Sequence, residues 1–341
     1  MRGLAAFAVV VYHLDRPYAP SAYVAVDFFF VLSGFVIARA YGEKLASGMT
    51  VLAFMKARYV RLYPLFLLGS LYGLIQLLTH WQSSGVGRAD LLASVVSTLF
   101  MLPSPSFLTR SAGDLLPLYP LNGPAWSLFW ELLANLTFAF VLFRLKTRSL
   151  AAIAIASLAV LAASVVVHKS LDLGWEWRTV DGGLARVFFS FTLGMIIYRI
   201  RTVHGIGRTV STYFAVLPIA AICGLLFLPT YSLKFALLFC ILISPLIVFA
   251  GTMLEIPARF QRICIFLGYL SYPIYACHRG FTDIYASLMG DVPLPRPAYI
   301  LLFVALISVI SYLSAQAASA ATNYALSRRR STKQADATSG S

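Results

Sequence analysis

Apolar runs recur along this chain from residue 4 to residue 326, and no polar block between them is long enough to fold by itself. That pattern constrains the fold more than any single motif. In hydrocarbon every backbone N–H and C=O must find a partner inside the protein, and a helix supplies those partners within the segment. Composition agrees: 60% of the 341 residues are hydrophobic and 12% are charged, against ~25% charged in soluble domains. The expected fold is an all-α integral membrane protein. One membrane domain is expected over residues 1–326, followed by a disordered basic tail over 327–341, where RRRSTKQADATSGS is charged and rich in Ser and Thr.

The net charge of +14 does not point to nucleic acid, because the basic residues lie between apolar segments, where they set topology and meet anionic lipid headgroups. Ten spans are predicted, at 3–20, 24–41, 62–80, 124–143, 149–168, 184–200, 212–228, 233–253, 264–288 and 298–326. A further apolar run, 90–103, is short and ends at Pro103. If it does not cross and the N-terminus is cytoplasmic, every basic cluster falls inside: Lys44 to Arg61, Arg144 to Arg148, Arg199 to Arg208, Arg259 and Arg262, and Arg328 to Arg330. Both termini are then cytoplasmic, and the loops 81–123 and 169–183 face outward. Cys223, Cys240, Cys264 and Cys277 lack CxxC spacing and suggest neither a disulfide framework nor a metal site. The first apolar run is short for a span, and an extension preceding Met1 is expected.

Ionisable residues inside such segments are costly and mark candidate sites. Arg2 and His13 bracket RGLAAFAVVVYH; eleven residues are three turns plus about 20°, so both lie on one helical face, ~16 Å apart. A histidine wetted at a helix end is the plain alternative. Arg58 and Arg61, in KARYVRLYP, share a face and suit phosphate binding, or simple anchoring at the headgroups. Glu131, in NGPAWSLFWELL, lies about two turns inside its span, at a depth it can share with His13, which it would orient; a helix–helix polar contact is the alternative. Asn122, Trp126 and Ser127 cap or line the entrance above it. Ser33 and Gly34 form a small face for helix packing, with Ser33 a candidate to line a pore. Pro273, in GYLSYPIYACH, frees a backbone carbonyl, so Ser271, Tyr272 and Tyr275 can line a polar cavity, and His278 is a secondary candidate higher on the same span. In the loop 169–183, Asp172, Trp175, Glu176, Trp177, Arg178 and Asp181 could stack on and hydrogen-bond a sugar, or form an interfacial aromatic belt.

RGLAAFAVVVYH, VDFFFVLSGF, RYVRLYP, NGPAWSLFWEL and LSYPIYACH occur in this order, and together they resemble the membrane acyltransferase-3 family over residues 1–326. The resemblance implies a ten-helix enzyme that moves an acyl group, usually acetyl from acetyl-CoA, to a hydroxyl outside the cytoplasm. It implies that Arg2 and His13 are the family's Arg-x10-His motif, with the histidine catalytic. By the same likeness Arg58 and Arg61 are the RxxR motif that handles the acyl donor, and Trp126, Ser127 and Glu131 match its WSL-x-x-E segment. The family usually has several residues before the matched arginine.

The function that the resemblance implies is O-acylation of a cell-surface polysaccharide, lipopolysaccharide or other extracytoplasmic glycan, with a surface glycan or lipid-linked sugar as acceptor. Acyl-CoA would be a co-substrate, with no permanently bound cofactor and no metal. His13 and Glu131 are the expected catalytic residues. Arg2, Arg58, Arg61, Ser33, Asn122, Trp126, Ser127, Tyr275 and His278 are the expected substrate-binding set. The expected location is a bacterial inner membrane. A transporter of a lipid-linked or anionic solute is the rival reading, since buried charges and broken helices serve that role too, although no paired repeat is visible. A membrane glycosyltransferase is a weaker rival, for want of an outward acidic motif at a helix end.

Overall fold

A computed structural model describes residues 1–105, 116–203, 216–228 and 232–339, and the described residues are overwhelmingly helical. Arg208, residues 106–115 of the first long loop and the start of the expected span 212–228 lie outside the described residues. The helices are α1 (Arg2–Leu14), α2 (Ala25–Ala46), α3 (Val51–Thr79), α4 (Arg88–Leu99), α5 (Trp126–Phe140), α6 (Thr147–His168), α7 (Val180–Val203) and α8 (Val216–Leu226). There follow α9 (Leu233–Leu238), a π-helical turn (Phe239–Ile243), α10 (Ser244–Thr252), α11 (Ala258–Cys277), α12 (Arg279–Met289) and α13 (Arg296–Ser339).

Six stretches among the described residues are long and apolar enough to cross a membrane: Ala22–Ala46, Val51–Thr79, Thr147–His168, Trp177–Thr202, Leu233–Thr252 and Arg296–Thr322. The protein is therefore a multi-pass membrane protein, while the remaining expected spans form shorter or interrupted helices. The expected span 3–20 stops at Leu14, because Asp15, Arg16 and Pro17 turn the chain into a 3-10 segment, Arg16–Tyr18. The expected span 264–288 is split at His278 into α11 and α12. In contrast, α3 begins eleven residues before the expected start at 62. Thr50 caps it, accepting a hydrogen bond from the Ala53 amide at 3.2 Å, so Arg58 and Arg61 lie within the helix rather than at a loop. The helix α13 continues through 327–339, where composition alone predicts disorder; no proline or glycine interrupts residues 298–339.

The most buried spanning stretches are those of α2 and α7, each 67% buried, whereas that of α6 is 28% buried and turns Ile155, Val166 and Val167 outward. The α2–α7 pair is the spine of the bundle. Its backbones approach so closely that a Cβ on Gly34 would lie 2.0 Å from the Phe191 carbonyl oxygen, and one on Gly194 2.0 Å from that of Val31. Gly34 and Ala38 on α2, and Ser190 and Gly194 on α7, are each four residues apart, the small-xxx-small pattern that lets helices pack in lipid. Gly194→Leu is expected to force the pair apart and to destabilise the fold by about 1–3 kcal/mol or more. A lowered unfolding temperature in detergent measures it, with Ala221→Leu on half-buried α8 as the comparison.

The two long loops meet. Leu118 N–H donates to the Trp175 carbonyl at 2.9 Å and Trp177 N–H to that of Leu116 at 3.0 Å, so the loops share one end of the bundle. That end also holds the C-terminus of α1 and the N-termini of α2, α5 and α7. At the opposite end, Arg199 donates to the Phe143 carbonyl at 3.3 Å and Arg201 to that of Thr252 at 2.8 Å. The two ends are called here the loop end and the arginine end.

Candidate active site

The last turn of α1 places His13 against the break between α11 and α12. His278 Nδ1 lies 3.0 Å from the carbonyl oxygens of Ile274 and Tyr275. Carbonyls only accept, so in the neutral ring this nitrogen carries the proton and Nε2 presents a lone pair. That Nε2 lies 3.1 Å from His13 Nδ1, which is also 2.9 Å from the Val9 carbonyl. Both neighbours are acceptors, so the hydrogen-bond partners assign the His13 proton to Nδ1 and leave the Nε2 lone pair free. A histidine in this tautomer can take a proton from a substrate. His278, fully buried, is its orienting partner. The sequence places His278 only as a secondary candidate, because nothing in the spacing pairs residues so distant in the chain.

Glu131 does not fill that role. Its Oε1 accepts from Arg58 Nη2 at 2.8 Å and from the Ser33 hydroxyl at 2.8 Å. Helical spacing gives the depth of Glu131 but not the direction it faces, and it faces α2 and α3 instead of His13. The pair tethers Arg58, which is nearly buried and keeps an Nε that makes no hydrogen bond. Arg58 is therefore no free fork; Arg61, more exposed, and Arg2, which makes no hydrogen bond among the described residues, are the open cations of the group.

These residues line a small cleft bounded by Arg2, Ser33, Arg58, Arg61, Glu131 and Tyr272. A second, smaller hollow shares Arg2, Glu131 and Tyr272 and reaches Ser127, Ser271 and Tyr275. Ser127 and Tyr275 join hydroxyl to hydroxyl at 2.7 Å. The Tyr275 ring centroid is 6.2 Å from that of His278. A file of polar side chains thus runs through the bundle from Arg61, past Arg58, Arg2 and Glu131, along Ser127 and Tyr275, to His278 and His13. Ser271, Tyr272 and Tyr275, on either side of Pro273, line the second hollow, and the helix breaks one turn later, at His278.

Asn122 and Trp126 hold the walls. Asn122 donates to the Ala276 carbonyl at 3.1 Å, fixing the end of α11. Trp126 lies under the guanidinium of Arg186, 5.3 Å from its ring centre. Arg186 makes a fully buried two-pronged pair with Asp27, at 3.0 and 2.8 Å, and donates to the Leu173 carbonyl at 2.9 Å. Opposite charges placed early in two apolar spans are the signal that sequence reasoning passed over. At the loop end, Tyr12 donates to Asp172 Oδ2 at 3.3 Å and packs edge-on against His13. Burial pushes the Asp172 carboxyl above the usual carboxylate range, with Arg186 and Arg16 opposing that shift.

A helical membrane protein with two coupled histidines at the head of a buried arginine-lined file has the form of a membrane-embedded transfer enzyme. The chain matches the acyltransferase-3 family, described as an acyltransferase domain, over residues 1–315, and it belongs to that family. It is also similar to a Rhizobium radiobacter protein named "Protein 2 in picA locus", 38% identical over 154 residues, covering 41% of this chain and 78% of that protein. No solved structure matches the chain.

Proposed function

We propose that this acyltransferase moves an acyl group, acetyl in the first instance, from acyl-CoA in the cytoplasm to a hydroxyl of a surface polysaccharide, lipopolysaccharide or other extracytoplasmic glycan, across a bacterial inner membrane. The arginine end faces the cytoplasm in this reading and the loop end faces outward, as the basic clusters favour. The observation that carries the proposal is the file of polar side chains from Arg61 to the paired histidines, which runs from one end of the bundle toward the other. Arg61 and Arg2 hold donor phosphates. Glu131 and Ser33 keep Arg58 extended along the wall.

His13 Nε2 takes the proton of the acceptor hydroxyl as its oxygen attacks the thioester carbonyl. The tetrahedral intermediate collapses by breaking the carbon–sulfur bond, and the departing CoA thiolate takes the proton from the imidazolium. His278 Nε2 keeps the His13 ring oriented throughout.

Alkali-labile acetate on surface polysaccharide tests the proposal, in cells lacking the gene and complemented with wild type or with His13→Ala confirmed to reach the membrane. Acetate restored by wild type alone is the expected result. Restoration by both versions removes His13 from the chemistry. No difference between deleted and complemented cells overturns acetyl transfer to the surface.

A further inference from the structure

Beside His13, at the loop end, Asp172 is built into place without a described partner for one of its oxygens. Its backbone amide donates to the Ser170 hydroxyl at 3.0 Å, and its carbonyl accepts from the Trp175 indole at 3.2 Å. The backbone that carries the carboxyl is therefore held in place before any ligand arrives. Its Oδ2 accepts from Tyr12 at 3.3 Å, longer than the 2.5–3.0 Å usual for such a bond. A ligand hydroxyl can share or replace so long a contact. Its Oδ1 makes no hydrogen bond among the described residues, and the residue is half-buried. Tyr12 immediately precedes His13, with ring centroids 5.1 Å apart, and Tyr23 lies 6.0 Å from Tyr12 on the other side. A carboxyl held between Tyr12 and Trp175, with Tyr12 the chain neighbour of His13, has the chemistry of a carbohydrate subsite: aromatic rings beside an acceptor for sugar hydroxyls.

Resting on the proposed acyl transfer, we infer that Asp172 is a positioning residue for the acceptor, accepting a hydrogen bond from the hydroxyl next to the one that faces His13. The substrate class that follows is a sugar carrying hydroxyls on adjacent carbons, and the acylated position is one of such a pair. Tyr12 holds the carboxylate until the sugar arrives and shares it afterwards.

The test uses the purified full chain, acetyl-CoA, and as acceptor the polysaccharide isolated from cells lacking the gene. Asp172→Asn keeps the shape and removes the charge. It is expected to raise the acceptor KM by about tenfold or more, with the acetyl-CoA KM changed by less than twofold. Tyr12→Phe leaves Asp172 free to bind the sugar, and its acceptor KM is expected to rise threefold at most. If Asp172 merely ties the loop to α1, Tyr12→Phe, which removes that tie outright, raises the acceptor KM and lowers the melting temperature at least as much as Asp172→Asn, and that result overturns the inference. An unchanged acceptor KM in Asp172→Asn overturns it as well. So does NMR showing acetate on a hydroxyl with no hydroxyl on an adjacent carbon. Failure of wild type to transfer acetate to this polysaccharide is a separate result: it counts against the acyl-transfer reading itself.

Discussion

His13→Ala is expected to lower acyl transfer by about 10²–10⁴-fold, the range for loss of a positioned general base, and substitutions of His278 should follow in a graded series. His278→Ala removes the acceptor at 3.1 Å from His13 Nδ1 but leaves the Val9 carbonyl at 2.9 Å, so part of the orientation survives. Its loss is expected to be about 10–10²-fold, smaller than that of His13→Ala. Glutamine can place an amide oxygen near the position of the imidazole Nε2, so His278→Gln should recover much of the activity lost in His278→Ala. Turnover of acetyl-CoA by purified variants, with KM and kcat separated, reads the series. The expected losses fall on kcat. Equal activity of His278→Ala and wild type would leave His13 without the orienting role assigned to its neighbour. Equal losses in His278→Gln and His278→Ala would show packing of the α11–α12 junction at work instead of hydrogen bonding.

The second large effect is on stability. Asp27→Ala leaves the Arg186 guanidinium fully buried with the Leu173 carbonyl and the face of Trp126 as its remaining described partners. Removing one member of a buried ion pair costs about 3–5 kcal/mol, because the surviving charge has lost its counterion and cannot reach water. Replacing both, as Asp27→Leu with Arg186→Met, is expected to recover most of that loss. Equilibrium unfolding in detergent micelles measures the three variants. A double variant as unstable as Asp27→Ala would contradict the account. Arg186 also holds Leu173, the neighbour of Asp172, so the single variant should loosen the acceptor side as well.

Much of the site is legible in the chain because helices convert spacing into geometry. Arg2 and His13 share α1, as an eleven-residue separation demands. Arg58 and Arg61 border one cleft, as a three-residue separation demands. The facing of the two long loops at one end follows from the basic clusters, and the contact of Leu118 with Trp175 agrees with it. What spacing does not carry is the rotation of one helix about its axis relative to another. Glu131 therefore turned toward Arg58 and Ser33, and His278 took the place beside His13 that Glu131 was expected to hold.

The sequence by itself determined that this is a helical membrane protein of the acyltransferase-3 family, and which residues its helices bring to the interior. Hydrophobicity and helical period are local properties, readable one segment at a time. Only the tertiary structure decided the partnerships: His13 with His278, Arg58 with Glu131, Asp27 with Arg186, Tyr12 with Asp172. Each joins segments far apart in the chain, and Asp27 and Arg186 lie on the two helices that Gly34 and Gly194 let approach. In a low-dielectric interior a charged or polar group must find a partner wherever packing brings one, so these pairings follow from the assembled bundle and not from any one stretch of sequence.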